Sequence, residues 1–176
     1  MKQLGHYETL VKMPKLDFEC ILYVCEISCD NLGLILRSAD IFGVNALYYQ
    51  QSRHNMDSKH IAKISRQSNI PIHYSKGVES LHELKKSGYQ IVALEITNTS
   101  IPLRNVSFKN NICLIIGNER YGVPDDMLSI AERSCHIEMV GAHISSLNVS
   151  IATSIALYEI TQHLLNKKDE DEKWTG

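Results

Sequence analysis

Three short segments of the chain combine polar and charged residues in patterns that could perform chemistry. The first begins at Asn31 and reads NLGLILRSADIFG. It places Arg37 inside an apolar stretch that we expect to be packed, and a buried guanidinium needs an anionic or carbonyl partner because arginine cannot lose its proton. An ion pair with Asp40, three residues later, explains Arg37 as well, and Asn31 could simply cap a helix. Arg37 is therefore a candidate anion-binding residue with a structural alternative.

The second segment, residues 115–124 (IIGNERYGVP), joins a predicted strand to a glycine-containing turn. It would bring backbone N–H groups and the Glu119 carboxylate to the carboxyl edge of a sheet, where open α/β sheets bind ligands. An ordinary turn that uses Gly117 and Gly122 for positive φ is the alternative.

The third segment, residues 141–150 (GAHISSLNVS), carries three small polar residues within four positions: Ser145, Ser146 and Asn148. Helix capping explains one of them but not all three before a strongly apolar helix. The segment is therefore a candidate functional segment, with helix capping as its structural alternative.

Other chemistry-bearing patterns are missing. The nine glycines form neither a G-x-G-x-x-G nor a Walker A loop, so the two common phosphate cradles are absent. No H-E-x-x-H motif occurs and the eight histidines are scattered, so we expect no metal.

Strands alternate with helices along the chain, which predicts an α/β fold with a mostly parallel sheet and helices on both faces. Apolar runs predict strands over residues 18–27, 44–50, 70–74, 89–96, 111–116 and 135–140. Helical spacing predicts helices over residues 32–42, 58–67, 78–86, 124–133 and 147–165. We expect a single domain over 18–165, a short extension over 1–17, and a charged, mobile tail over 166–176.

Composition limits the possible partners. The net charge of −2 excludes a globally basic nucleic-acid binder but not a local basic surface. The candidate surface is Lys59, Lys63 and Arg66, at i, i+4, i+7 spacing, with Arg53 nearby; an ordinary solvated helix face is the alternative.

The five cysteines include no C-x-x-C pair and are odd in number, which argues against a disulfide framework and fits a reducing, cytoplasmic compartment. No apolar run is long enough to span a bilayer, and we expect no signal peptide and no membrane association.

Taken in order, the three segments resemble the three motifs of the SpoU/TrmH branch of the SPOUT RNA methyltransferases. The matching patterns are N-x-G-x-x-x-R-S-A-D-x-F-G, G-x-E-x-x-G-V-P and S-S-L-N-V-S-x-A, and the resemblance runs over residues 18–163. One departure is visible: the family often has Asp-Pro before the first Asn, where this chain has Cys29 and Asp30.

The resemblance implies a trefoil knot in the C-terminal third and S-adenosylmethionine bound within it. By position, the cofactor contacts fall on Leu94, Gly117, Ile137 and Leu147, largely through backbone atoms. The implied reaction is methyl transfer to a ribose 2′-hydroxyl of RNA, without a metal.

Roles for the polar residues also follow from the resemblance. It places Arg37 at the reacting hydroxyl, where we expect it to hold the adjacent phosphate rather than act as a base, since its guanidinium stays charged. Glu119 would orient Arg37 or Asn31, and Ser146 and Asn148 would shape the catalytic pocket.

The substrate and the assembly are less constrained. We expect transfer RNA as the substrate before ribosomal RNA, because only residues 1–17 precede the first strand. The acidic DEDE of 169–172 argues against this, since transfer-RNA guanosine enzymes tend to have basic extensions.

The family implies a homodimer with Arg37 completing the partner's pocket. The apolar stripe of the last helix suits such an interface; the alternative is that it packs only on its own sheet.

Two alternative functions remain: a non-catalytic RNA-binding or assembly factor, and a small-molecule methyltransferase.

Overall fold

A parallel β-sheet organises the chain in the computed structural model, which describes residues 18–50, 57–75, 77–141, 143–144 and 146–174, with 168–174 as backbone only. The described residues form seven strands: β1 Glu19–Val24, β2 Ala46–Gln50, β3 Ile72–Ser75, β4 Gln90–Leu94, β5 Ile101–Pro102, β6 Asn111–Ile116 and β7 Arg133–His136. The helices are α1 Cys29–Ile41, α2 Ser58–Ile64, α3 Glu79–Lys86, α4 Asp125–Ile130 and α5 Val149–Trp174, with a 3₁₀ turn at Leu103–Asn105.

The strand order is β3-β2-β1-β6-β4-β7-β5, and all the strand pairs are parallel. The central strands β1 and β6 are buried over their last five residues. This burial explains why their sequences are almost continuously apolar. A strand that is covered on both faces has no solvent-facing positions, so polar residues do not alternate with apolar ones.

Helices cover both faces of the sheet. Alternate residues of β6 show this: Leu114 packs under α1, α2 and α5, whereas Ile115 packs under α3 and α4. The predicted fold class, a mostly parallel α/β sheet with helices on both faces, is therefore confirmed. The knot stays a prediction, as does the division into an extension, a domain and a mobile tail.

Several element bounds differ from the sequence prediction. Helix α1 begins at Cys29 because Ser28 caps it, its Oγ accepting from the Asn31 N–H at 3.3 Å, so the interpretation of Asn31 as the cap is wrong. The last strand ends at His136, and residues 137–140 leave the sheet. Helix α5 continues to Trp174, whereas the sequence predicts its end at Leu165.

Helices α1 and α2 approach each other closely at Gly33. A Cβ on Gly33 would lie 2.7 Å from Cβ of Ile64, closer than real side chains come. The glycine of the first motif therefore has a packing role, because it lets α2 lie against the start of α1. Within the described part of the chain, no helix is both long and apolar enough to cross a membrane.

Candidate functional site

A cleft of about 590 Å³ opens at the carboxyl edge of the sheet, over the ends of β4, β6 and β7 and beside the start of α5. The four residues predicted to contact a cofactor all line it: Leu94, Gly117, Ile137 and Leu147. Glu119, Ser146 and Asn148 line it as well. The structure thus gathers the second and third motifs around one cavity, at the edge where α/β sheets bind ligands.

Gly117 permits the turn that forms one wall of this cleft. The chain folds back on itself through paired hydrogen bonds between Asn118 and Gly122, 2.9 and 3.0 Å long. A Cβ on Gly117 would lie 2.6 Å from the Val123 nitrogen and would also collide with the Gly122 carbonyl group. The positive-φ explanation is therefore correct for Gly122 (φ +66°), while Gly117 is required by close approach.

Two side chains that sequence reasoning missed hold this turn in place. The Asn118 Oδ1 accepts from the N–H groups of Arg120 (2.8 Å) and Tyr121 (3.2 Å). Glu95, directly after β4, accepts from the Val123 N–H at 2.8 Å. A carboxylate immediately following an apolar strand was the signal that could have identified Glu95.

A chain of hydrogen bonds joins the three motifs at the rim of the cleft. The Glu119 Oε1 accepts from the Asn31 side-chain amide at 2.7 Å and from the Ser28 N–H at 3.0 Å. Asn31 in turn accepts, through its Oδ1, from the Asn148 side-chain amide at 3.1 Å. Since an ionised carboxylate only accepts, Glu119 fixes the orientation of the Asn31 amide, and Asn31 fixes that of Asn148.

The environment of Glu119 keeps it ionised. Partial burial alone would raise the pKa of its carboxyl group, but the hydrogen bonds from the Ser28 N–H and the Asn31 amide outweigh that effect. The net result is a pKa below the usual range of glutamate. Glu119 is therefore a charged acceptor at neutral pH.

Asn148 has two functions at once. Its Oδ1 caps α5, accepting from the Ser150 N–H at 2.9 Å and from the Ser150 hydroxyl at 2.6 Å, while its amide group reaches Asn31. The capping alternative is thus correct for Asn148 but incomplete. Ser146 is exposed on the lining of the cleft, and Ser145 lies outside the described residues.

The structure places Arg37 away from this network, and the expectation that it is packed is wrong. Helix α1 buries Leu32, Gly33, Ile35, Leu36 and Ala39 against the sheet and its neighbouring helices. Arg37 is exposed on the opposite side with Leu34 and Ile41, and it does not line the cleft of its own chain. Within the described residues no ion pair joins it to Asp40.

Two residues of the candidate basic surface share a helix, and a third follows it. Lys59 and Lys63 are exposed on α2, but Arg66 lies beyond the end of that helix with φ of +54°, so it does not continue the helical face. Arg53 lies outside the described residues. His60 of α2 bonds to Asp30 at 2.7 Å, which ties this surface to the first turn of α1 beside Asn31.

An open parallel sheet with a cleft over its carboxyl edge is the arrangement of an α/β protein that binds a small molecule at that edge. Within the described residues, no group of three or more His, Cys, Asp or Glu side chains could hold a metal ion. The chain belongs to the SpoU rRNA Methylase family, whose model matches residues 20–158.

Relatives and solved structures agree with this assignment. The tRNA (guanosine(18)-2′-O)-methyltransferase of Aquifex aeolicus (strain VF5) is 36% identical over 132 residues, which are 73% of this chain and 62% of the relative. The AdoMet-bound rRNA methyltransferase from Sinorhizobium meliloti superposes with a TM-score of 0.76, at 26% identity, over 86% of this chain and 58% of that one. For the A. aeolicus TrmH/SpoU tRNA modifying enzyme, the TM-score is 0.74 at 30% identity, over 88% of this chain and 78% of that one. The chain spans about three fifths of the length of the curated relatives it matches.

Proposed function

We propose that this chain is an S-adenosylmethionine-dependent RNA methyltransferase that modifies a ribose 2′-hydroxyl, with transfer RNA as the substrate. The observation that carries the proposal is the hydrogen-bonded chain Glu119–Asn31–Asn148, which joins the three motifs at the rim of a cleft lined by the four expected cofactor residues. The names of the relatives support the reaction and the substrate.

The cleft fits the cofactor. Its volume lies within the range of roughly 300–1,000 Å³ that small-molecule sites occupy. Its wall at Gly117 is a bare backbone surface, and Leu94, Ile116 and Ile137 supply apolar contacts suited to a purine. A phosphate cradle is not needed, because S-adenosylmethionine carries no phosphate. When bound, the cofactor supplies an activated methyl group on a sulfonium, and Leu94, Gly117, Ile137 and Leu147 would hold it.

The protein's own task is to position a weakly acidic hydroxyl and to manage its proton. Arg37 binds the phosphate next to the target nucleotide and polarises the 2′-hydroxyl, and the proton leaves to phosphate or water because a guanidinium cannot accept it. Glu119 and Asn31 hold the rim rigid, and Asn148 and Ser146 shape the pocket.

A homodimer brings Arg37 to a cleft. Arg37 lies on α1 between two exposed apolar side chains, Leu34 and Ile41, the latter 71% exposed. Neighbouring α5 adds Ile151, Ile155 and Tyr158, all exposed, and the two helices are joined by the Ser38–Ser154 hydrogen bond at 2.7 Å. We infer that a second copy covers this apolar face and that each Arg37 serves the partner's cleft, since it does not line its own.

Mixed dimers test the shared site. One subunit carries Arg37→Ala and the other Gly117→Trp, with different affinity tags for purification. If sites are shared, one cleft keeps both an open Gly117 and a partner arginine, so about half of the wild-type methyl transfer is expected because one of two sites survives. Each homodimeric variant is the inactive control. An inactive mixed dimer would show that each site is contained in one chain.

The RNA-binding surface in this proposal consists of Lys59, Lys63 and Arg66. All three are exposed, and the His60–Asp30 hydrogen bond links this surface to the rim of the cleft. Charge reversal of all three to Glu is expected to weaken RNA binding at least about tenfold at low salt and to reduce the salt slope by about one per lost phosphate contact. Filter binding of unfractionated transfer RNA at several salt concentrations measures both.

The matched control reverses three exposed cations elsewhere, Lys86, Lys109 and Arg133. These lie on α3 or at the amino edge of the sheet, away from the cleft. An unchanged RNA affinity in the Lys59/Lys63/Arg66 variant would return that surface to an ordinary solvated helix face.

The central test is tritiated methyl transfer onto RNA from a strain lacking the gene, with the labelled nucleotide mapped afterwards. We expect a 2′-O-methylated ribose in transfer RNA, and calorimetry is expected to give the same cofactor Kd with and without EDTA. A methylated base, or no transfer despite cofactor binding, would contradict the proposed reaction. Loss of cofactor binding in EDTA would contradict its independence of metal.

We also propose a cytoplasmic location. All five cysteines are free thiols in the structure, and four of them are buried. Burial raises the pKa of Cys20, Cys25 and Cys135 to about 12. Thiols in such a state suit a reducing compartment, where the transfer-RNA substrate is also found.

A further inference from the structure

His136 is a half-buried, titratable side chain on the lining of the cleft that the mechanism above leaves without a role. It is the last residue of β7, where it pairs in register with Pro102 of β5. The next residue, Ile137, is one of the expected cofactor contacts. The ring of His136 is anchored, because its Nδ1 lies 2.9 Å from the Ser100 Oγ.

The hydrogen bonds around Ser100 determine which ring nitrogen carries the proton. The Ser100 hydroxyl has a single hydrogen, and it donates to the Thr97 carbonyl oxygen at 3.0 Å. Both this bond and the one to His136 can form only if Nδ1 carries a hydrogen, which in the neutral imidazole leaves Nε2 without one. The other nitrogen, Nε2, then has a free lone pair and accepts hydrogen bonds.

Ser100 itself is held rigidly. Its Oγ accepts from the Thr97 N–H at 3.1 Å, and its own N–H donates to the Thr97 carbonyl at 3.3 Å. Ser100 does not line the cleft, whereas His136 does. The ring is therefore anchored through Nδ1 to a residue outside the lining, and Nε2 is the ring nitrogen left available to a ligand.

We propose that His136 is a cofactor-binding residue whose Nε2 accepts a hydrogen bond from a neutral donor on the adenosine part of the bound molecule. This inference rests on the proposed function. Two kinds of group on adenosine have the required chemistry, the ribose hydroxyls and the adenine amino group. Ser100 is a positioning residue in this arrangement, because it acts only by fixing the proton on Nδ1.

Calorimetry with S-adenosylhomocysteine and a pair of isosteric variants tests the proposal. In His136→Asn the amide nitrogen takes the place of Nδ1 and keeps the bond to Ser100, but the acceptor at Nε2 is lost. In His136→Gln the amide group takes the place of Nε2 and restores an acceptor. One neutral hydrogen bond corresponds to a loss of about 3- to 10-fold in affinity for the Asn variant, with the Gln variant within about twofold of wild type.

Analogues identify the donor. The three analogues are the 2′-deoxy, 3′-deoxy and N6-dimethyl forms of S-adenosylhomocysteine. The wild-type protein is expected to bind one of them more weakly than S-adenosylhomocysteine, by the same factor as the loss in the Asn variant. The affinity of the Asn variant is expected to be no lower for that analogue than for S-adenosylhomocysteine. Ser100→Ala is expected to weaken binding less than His136→Asn does. His163→Asn, which changes another half-buried histidine far along α5, is the control and is expected to bind as wild type does.

Three results would overturn the inference. They are wild-type affinity in His136→Asn, an equal loss in the Asn and Gln variants, and analogue losses that persist unchanged in the Asn variant. Melting curves establish that each variant is folded. Failure of the wild-type protein to bind S-adenosylhomocysteine at all would overturn the proposed function together with this inference, so the two failures are distinguishable.

Discussion

Arg37→Lys is expected to lose at least about 100-fold in the rate of methyl transfer, with an affinity for S-adenosylmethionine within about twofold of wild type. Lysine keeps the positive charge but lacks the planar fork that can hold a phosphate and a hydroxyl together. The cofactor affinity is expected to survive because Arg37 is assigned to the RNA phosphate and the 2′-hydroxyl, whereas the cofactor is assigned to other residues that line the cleft. Arg37→Ala is expected to lose at least as much of the rate.

Single-turnover methyl transfer and calorimetry measure the two quantities separately. Arg133→Lys is the matched control, because Arg133 is also exposed but lies at the amino end of β7. It is expected to leave both quantities unchanged. If Arg37→Lys kept most of the rate, charge alone would suffice and the role assigned to guanidinium geometry would be wrong.

Gly117→Ala is expected to weaken cofactor binding about 10- to 100-fold, the equivalent of roughly 1–3 kcal/mol of overpacking. The new methyl group would collide with the carbonyl group of Gly122 and the nitrogen of Val123, which form one peptide bond. Backbone atoms cannot rotate away as a flexible side chain can. The turn over residues 118–122 must then move, and with it the wall of the cleft and the carboxylate of Glu119.

Calorimetry with S-adenosylmethionine measures this loss, and a melting curve shows whether the variant is folded. Gly141→Ala is the matched control, since a Cβ there has open space around it and is expected to change nothing. An unaltered affinity in Gly117→Ala would mean that the turn relaxes without disturbing the cleft.

The sequence predicts those elements of the fold whose burial leaves a pattern of apolar residues. Strands such as β6 are buried on both faces, so their apolar runs identify them directly. The two-residue β5 has no such signal, because it is too short to show a period. The sequence predicts the end of β7 too late, because the apolar Ile137 and Met139 line the cleft and do not continue the sheet.

The sequence motifs indicate which residues to expect at the site, but not the geometry that joins them. The motifs indicated Asn31, Glu119 and Asn148, but only the structure shows that they form one chain of hydrogen bonds. Arg37 is exposed against expectation for a physical reason: its neighbours Leu34 and Ile41 are apolar yet exposed, so apolar surroundings in sequence do not imply burial. Glu95 and His136 lack a motif, and their roles depend on partners distant in sequence.

The bonds of Asn31 also bear on the order in which the molecule matures. Its partner Glu119 lies 88 positions further along the chain, and Asn148 lies 117 positions further. During synthesis, β1, α1 and most of the sheet can associate before Asn148 has left the ribosome, because the chain emerges from its N-terminus. Contacts over such separations are the slow ones to form. The rim of the cleft is therefore completed only when the start of α5 docks, and an intermediate stalled before that step would have its sheet but no working site.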